Sequence, residues 1–227
     1  MEKIDLPNEI FPAPCTILLA GMTGSGKTHI CFEILKYRQE LFSQPVKGVI
    51  YCYSEFQEIF NKPPGGEVTF HYGLPTAEEL EAYIQRLKGE HGLIIFDDLM
   101  SEMARSSIGQ DMYTKLSHHR NFSCLNIIQN IFVQGKAARN QTLNSHFFIL
   151  TRTCRDLRQI AILGSQLFPG KTKDFVEIYK DAVDNPLKRD VPPYLLIGCH
   201  PFKTRRGCQL MTNIFPPNGN IVLYRID

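Results

Sequence analysis

The sequence predicts an α/β fold in which short buried strands alternate with helices around a mostly parallel sheet. Three observations predict it: an apolar run at 15–20 that passes through a glycine-rich loop into a helical pattern, a run at 93–96 that ends on two acids, and repeated switching between β-branched runs and 3.6-residue periodicity. With 227 residues, 43% of them hydrophobic and 21% charged, the chain suits one domain with a sizeable core.

Pro7, Pro12 and Pro14 stiffen the first segment, and residues 15–20 read as a buried strand. The loop 21–28 breaks that strand. Ile30, Ile34, Leu35, Tyr37, Leu41 and Phe42 then place a helix over 29–42. Residues 49–53 and 68–72 are β-branched and aromatic strands, separated by the Asn-Lys-Pro-Pro-Gly-Gly loop at 61–66. Thr76-Ala77-Glu78-Glu79 is a capping box, followed by Leu80, Tyr83, Ile84 and Leu87 at i, i+3, i+4 and i+7, with Gly89 as the stop. Residues 93–96 form a strand ending on Asp97-Asp98, 112–119 a helix, 125–131 and 146–151 strands, and 156–163 a helix. A helix at 175–182, a strand at 194–199 and a turn at 216–219 complete the pattern. The expected organisation is an N-terminal arm at 1–14, one domain at 15–216 and a C-terminal tail at 217–227.

Composition excludes several roles. The longest apolar runs fall far short of the ~20 residues that cross a bilayer, so no membrane partner is expected. The start of the chain is charged and proline-broken, without an apolar signal core, which points to an intracellular protein. The seven cysteines form no Cys-x-x-Cys pair and read as reduced, mostly buried thiols. A net charge of +2 announces no nucleic-acid binder by itself. Charge is nevertheless segregated: from 136 to 173 stand Lys136, Arg139, Arg152, Arg155, Arg158, Lys171 and Lys173 against Asp156 alone, leaving the rest of the chain acidic. Such polarity suits an anionic partner, although scattered salt bridges on a solvated helix face would read the same way.

Gly21-Met22-Thr23-Gly24-Ser25-Gly26-Lys27-Thr28 fits the phosphate-binding Walker A pattern at every fixed position, between a strand and a helix as that motif requires. Only a glycine-rich backbone turns its amides inward around an anion. Lys27 is placed to reach the β- and γ-phosphates of ATP, and Thr28 to put its hydroxyl on Mg²⁺. Leu93-Ile94-Ile95-Phe96-Asp97-Asp98 reads as the partner Walker B strand, with Asp97 serving the metal and Asp98 polarising the attacking water. An N-cap role for either acid is the plainer alternative. Gln129 and Asn130 interrupt an apolar run, and Gln129 is the candidate γ-phosphate sensor, the alternative being an amide that caps a loop. Arg139 and Arg155 are candidate arginine fingers, while Lys136, Lys171 and Lys173 are candidates to line a DNA path. His118-His119-Arg120 is read as a helix-end dipole partner. The motifs specify the fold class as a P-loop NTPase of the RecA-like, additional-strand (ASCE) type: a three-layer sandwich around a central, mostly parallel sheet.

Beyond the P-loop, the chain resembles the packaging ATPases of the FtsK/HerA superfamily, nearest to the branch of poxvirus-like large DNA viruses and Polinton/Maverick and adintovirus elements. The resemblance rests on GMTGSGKT at 21–28, IFDDLM at 95–100, the block SHHRNFSCLNIIQNIFVQGKAARNQTLNSHFFIL at 117–150, RDLRQIAILGSQLFPGK at 155–171, YLLIGCHP at 194–201 and LMTNIFP at 210–216. It implies a homo-oligomeric ring that uses ATP and Mg²⁺ to drive double-stranded DNA, regardless of sequence, into a capsid through a capsid or portal-like partner. It also implies action in the nucleus or cytoplasm of a host cell, or with the virion. Near 198–200, where that family commonly has an acid, this chain has Gly198-Cys199-His200. Two other readings compete: a P-loop nucleotide or nucleoside kinase, and a non-catalytic nucleotide- or DNA-binding relic of a mobile element.

Overall fold

The computed structural model describes residues 9–106, 120–131, 144–153, 157–184, 191–200, 208–216 and 221–226. These build strands β1 (Thr16–Ala20), β2 (Gly48–Tyr53), β3 (Thr69–Tyr72), β4 (Gly92–Asp97), β5 (Phe122–Ile128), β6 (Phe147–Thr151), β7 (Tyr194–Gly198), β8 (Gln209–Thr212) and β9 (Val222–Tyr224). The helices are α1 (Lys27–Lys36), α2 (Arg38–Leu41), α3 (Ala77–Arg86), α4 (Met100–Arg105), α5 (Leu157–Leu167) and α6 (Thr172–Asp184). One sheet joins all the strands in the order β3-β2-β4-β5-β1-β6-β7-β8-β9. Its first six strands are parallel; β7, β8 and β9 add antiparallel rungs.

Every residue of β1, β4, β5, β6 and β7 is buried, which is what helices on both faces of a sheet demand. Alternate side chains serve opposite layers. Ile17, Leu19, Leu93, Ile95, Leu125 and Ile127 pack with Ile30, Ile34 and Leu35 of α1 on one face. On the other face Leu18, Phe148 and Leu150 meet α5 and α6, while Ile94 and Phe96 meet Leu80 and Met103. The core also takes in Phe11, which contacts the rings of Phe42 and Phe147.

Several elements differ from the sequence expectation. The helix expected at 29–42 starts at Lys27 and is interrupted at Tyr37, because Arg38 turns inward and donates to the Leu35 carbonyl at 2.7 Å. The strand expected at 125–131 begins at Phe122 and ends at Ile128, where its last carbonyls accept from the amides of Gly21 and Asp98. Expected parallel pairing stops at β6. A single crossover helix returns the chain to the starting edge of a sheet, but the two helices α5 and α6 leave it at the edge where β6 finished, so β7 runs the other way. The helix expected at 112–119 lies outside the described residues.

Candidate functional site

The site is built where β1 stops. Gly21 donates its amide to the Ile128 carbonyl at 3.2 Å, and Ser25 closes a tight turn by donating to the Met22 carbonyl. Glycine is required at 21 because a Cβ there would overlap Thr151 Oγ1. That same hydroxyl lies 2.7 Å from Ser25 Oγ and donates to the Ala20 carbonyl, so Thr151 fastens the loop to β6. Gly24 and Gly26 take φ of 77° and 87°, in the left-handed region that L side chains resist. Gly26 is the N-cap of α1 and supplies no side-chain acceptor, which leaves the first-turn amides available to an anion at the positive end of the helix. The Lys27 ammonium donates to the carbonyls of Gly21 and Met22 at 2.8 and 2.9 Å, stretched across its own loop. Burial pulls Lys27 below its usual range, and the charges of Asp97 and Asp98 oppose that pull.

Opposite stands the acid pair. Asp97, the last residue of β4, is only 8% exposed, and Tyr51 of β2 donates its hydroxyl to Oδ2 at 2.7 Å. Burial lifts the Asp97 carboxyl above its usual value and Asp98 adds to the lift, whereas the Tyr51 hydrogen bond and Lys27 work against it. The Tyr51 phenol and the neighbouring Cys31 thiol are themselves held well above their ordinary values, chiefly by burial. Both stay protonated, so Asp97 is the one of the three that carries charge. Asp98 turns into the left-handed region at φ 56° and leaves the ladder, exposing its carboxylate. Gln129, one residue beyond β5, donates its amide to Asp98 Oδ2 at 2.8 Å. Because β5 runs between β1 and β4, Gln129 emerges between the glycine loop and the acids.

These groups face one cleft of about 500 Å³, with Lys27 and Thr28 on one wall, Asp97, Asp98 and Gln129 on another, and Ser54 and Glu55 past the end of β2. Gly21 and Met22 instead border a smaller cavity of about 160 Å³ with Gln129 and Thr151. A hydroxyl, a carboxylate and room for phosphate oxygens form the hard-oxygen set that Mg²⁺ takes, since this ion is held by one or two carboxylates plus substrate phosphates. Tyr51 occupies one Asp97 oxygen and leaves the other for a metal or its water. The donor set therefore fits Mg²⁺, with Thr28 and Asp97 as the residues that would hold it.

The structure thus brings Lys27, Thr28, Asp97, Asp98 and Gln129 together. Arg139, Arg155 and Lys136 lie outside the described residues, as do His118 and His119. Lys171 pairs with Asp174 at 4.0 Å, Lys173 is exposed on α6, and Arg120 pairs with Glu81 at 3.2 Å. Sequence reasoning missed Tyr51, Thr151 and Glu55. The signal for Tyr51 was a hydroxyl inside a buried strand, which needs a partner.

No protein-family model matches the sequence. Among solved structures, the DNA-packaging ATPase B204 from Sulfolobus turreted icosahedral virus superposes with a TM-score of 0.54 at 12% identity, covering 87% of this chain and 97% of that one. The genome-packaging NTPase B204 from Sulfolobus turreted icosahedral virus 2 does so in its sulfate complex (TM-score 0.52, 13% identity, 87% and 96% covered) and in its ATPγS complex (0.50, 12%, 86% and 96%). At such identity the likeness establishes the fold, and this chain has the α/β sandwich of the P-loop ATPases.

Proposed function

We propose that the chain is an ATP-hydrolysing motor that drives double-stranded DNA into a viral or virus-like capsid. The observation that carries the hydrolytic part is the convergence of Lys27, Thr28, Asp97, Asp98 and Gln129 on one cleft, with the Gln129 strand inserted between the two Walker strands. The packaging part draws support from the fold shared with the B204 proteins over nearly their whole length and from the segment-by-segment resemblance to packaging ATPases.

In this reading the loop amides and Lys27 bind the phosphates, and Lys27 exchanges its loop carbonyls for phosphate oxygens. Bound Mg²⁺ supplies charge neutralisation at those oxygens. Asp98 accepts the proton of the attacking water, and Gln129, already hydrogen-bonded to Asp98, is within reach of both that water and the terminal phosphate. Its side-chain nitrogen carries two N–H donors, so it can hold Asp98 with one and reach a phosphate oxygen with the other. Arg139 or Arg155 completes the site of a neighbour in a homo-oligomeric ring, where a finger contributes on the order of 10³ to 10⁵ in rate. Cations that track the DNA backbone give sequence-independent binding. A capsid or portal-like protein is the structural partner, and the site of action is inside the host cell or at the virion.

ATP turnover measured with and without linear duplex DNA across a salt series tests this. We expect stimulation by DNA that fades as salt rises. ADP release that ignores DNA at every salt concentration and requires a nucleotide or nucleoside acceptor would replace the motor with a kinase.

A further inference from the structure

We propose that Cys199 and Cys208 form a dithiol site that low-molecular-weight disulfides convert reversibly into a cross-strand disulfide. The inference is independent of the function proposed above. The β7–β8 ladder pairs Leu196 with Met211, Ile197 with Leu210 and Gly198 with Gln209, so the next rung sets Cys199 directly across from Cys208. The two sulfurs lie 3.3 Å apart. Directly opposed antiparallel residues have Cα atoms about 4.5 to 5.5 Å apart, inside the range of about 4.4 to 6.8 Å that a disulfide spans. Bonding requires the sulfurs to close to about 2.05 Å, a side-chain rotation that leaves the strands in place. The Cys199 backbone is anchored as well, its amide donating to the His146 carbonyl at 2.8 Å.

Access separates this pair from the other described cysteines. Cys199 and Cys208 are half-buried, whereas Cys15, Cys31, Cys52 and Cys124 are buried. The two thiols are also unequal: hydrogen bonding to Cys199 lowers Cys208, while Cys199 is pushed up by that contact and by burial. Cys208 is therefore the attacking thiolate. It displaces one thiolate from the small disulfide and forms a mixed disulfide. Cys199 then releases its proton to the expelled thiolate and attacks the Cys208 sulfur, displacing the second thiolate, which takes a proton from water. The protein loses two electrons and two protons, and the reagent disulfide becomes two thiols. Among the described residues, no group of three or more His, Cys, Asp or Glu is arranged to hold a metal ion. The site lies away from the nucleotide cleft: β6 and β7 pair Thr151 with Tyr194 at the cleft end and Phe147 with Gly198 at the other.

The test is to equilibrate the full chain with oxidised and reduced glutathione at mildly alkaline pH and map its peptides by mass spectrometry. The expected product carries a link between Cys199 and Cys208, weighs about two mass units less than the reduced chain, bears no glutathione on either residue and reverts with excess thiol. Cys199→Ser should instead trap glutathione on Cys208, and Cys208→Ser should leave Cys199 unmodified. A stable glutathione adduct on Cys208 of the unmutated chain, a link from either residue to another cysteine, or both thiols remaining free would each overturn the proposal. The map of the unmutated chain decides the matter even where a variant fails to fold.

Discussion

Tyr51 is fully buried in a run, Val-Ile-Tyr-Cys-Tyr, that reads as apolar strand, and only the sheet reveals why a phenol is there. The β2–β4 register pairs Tyr53 with Asp97, which puts Tyr51 two residues back on the same face as the carboxylate. Its donated hydrogen bond satisfies Asp97 without neutralising it, and burial still raises the Asp97 carboxyl. The sign of the stability effect follows. Between the ordinary and the raised pKa, the native chain keeps a proton that the unfolded chain has lost, so stability falls as pH rises through that interval and stays reduced above it. Asparagine at 97 retains an oxygen for Tyr51 and carries no charge. In the absence of divalent cations Asp97→Asn should therefore unfold at a higher temperature than the parent at pH 7.5, with the difference vanishing below about pH 4, while ATP turnover falls on the order of 100-fold or more. Thermal unfolding at the two pH values checks it; a melting temperature at pH 7.5 equal to or below the parent's would mean that the buried charge carries no penalty.

At the scale of elements, legibility in the sequence followed locality. α3 was fully readable because its Thr76 capping box and i, i+3, i+4, i+7 stripe are local, and both hydrogen bonds of the box are present. The glycine loop and acid pair were readable for the same reason: their chemistry demands fixed residues at fixed spacing. β8 and β9 were not, since four and three residues carry no periodicity and exist through their ladders, β8 on β7 and β9 on β8. The break at Tyr37 was hidden because Arg38 finds its acceptors at Leu35 and, across the fold, at Pro64. Packing of α5 on α6 was hidden too, and one of its close approaches is at Gly164. A Cβ on Gly164 would press into the Phe175 ring, and both residues are buried. Gly164→Ala should therefore cost about 1 to 3 kcal/mol despite the better helix propensity of alanine, because neither the ring nor the helix backbone can yield cheaply. Urea unfolding measures this, and stability equal to or above the parent's would show that α5 shifts freely over α6.

For the whole molecule, the strand order decides what can move. β5 separates β1 from β4, so the Gln129–Asp98 contact sits on the seam between the loop-bearing and acid-bearing halves of the sheet. Thr151 ties the loop to β6, and Tyr179 of α6 donates to the Thr151 carbonyl at 2.8 Å and accepts from the Thr153 amide at 2.9 Å. A hydrogen-bonded line thus runs from Ser25 to the β6–α5 connection, the part of the chain where Arg155 lies in sequence. The described ion pairs Arg152–Asp184 and Lys171–Asp174 are exposed and worth about 0 to 1 kcal/mol, so either can open without loss of fold. If one subunit's arginine completes its neighbour's cleft, complementation should reveal it. A ring mixing Lys27→Ala subunits with finger-mutant subunits contains interfaces that combine an intact loop from one with an intact arginine from the other, roughly a quarter of all interfaces at equal mixing. Each variant alone should be inactive, and DNA-stimulated ATP turnover should return in the mixture. Recovery with Arg155→Ala assigns the finger to Arg155, and recovery with Arg139→Ala assigns it to Arg139. The finger mutant keeps its own loop and acids, so only a site shared between subunits produces such rescue, and its absence for both arginines would confine hydrolysis to single subunits.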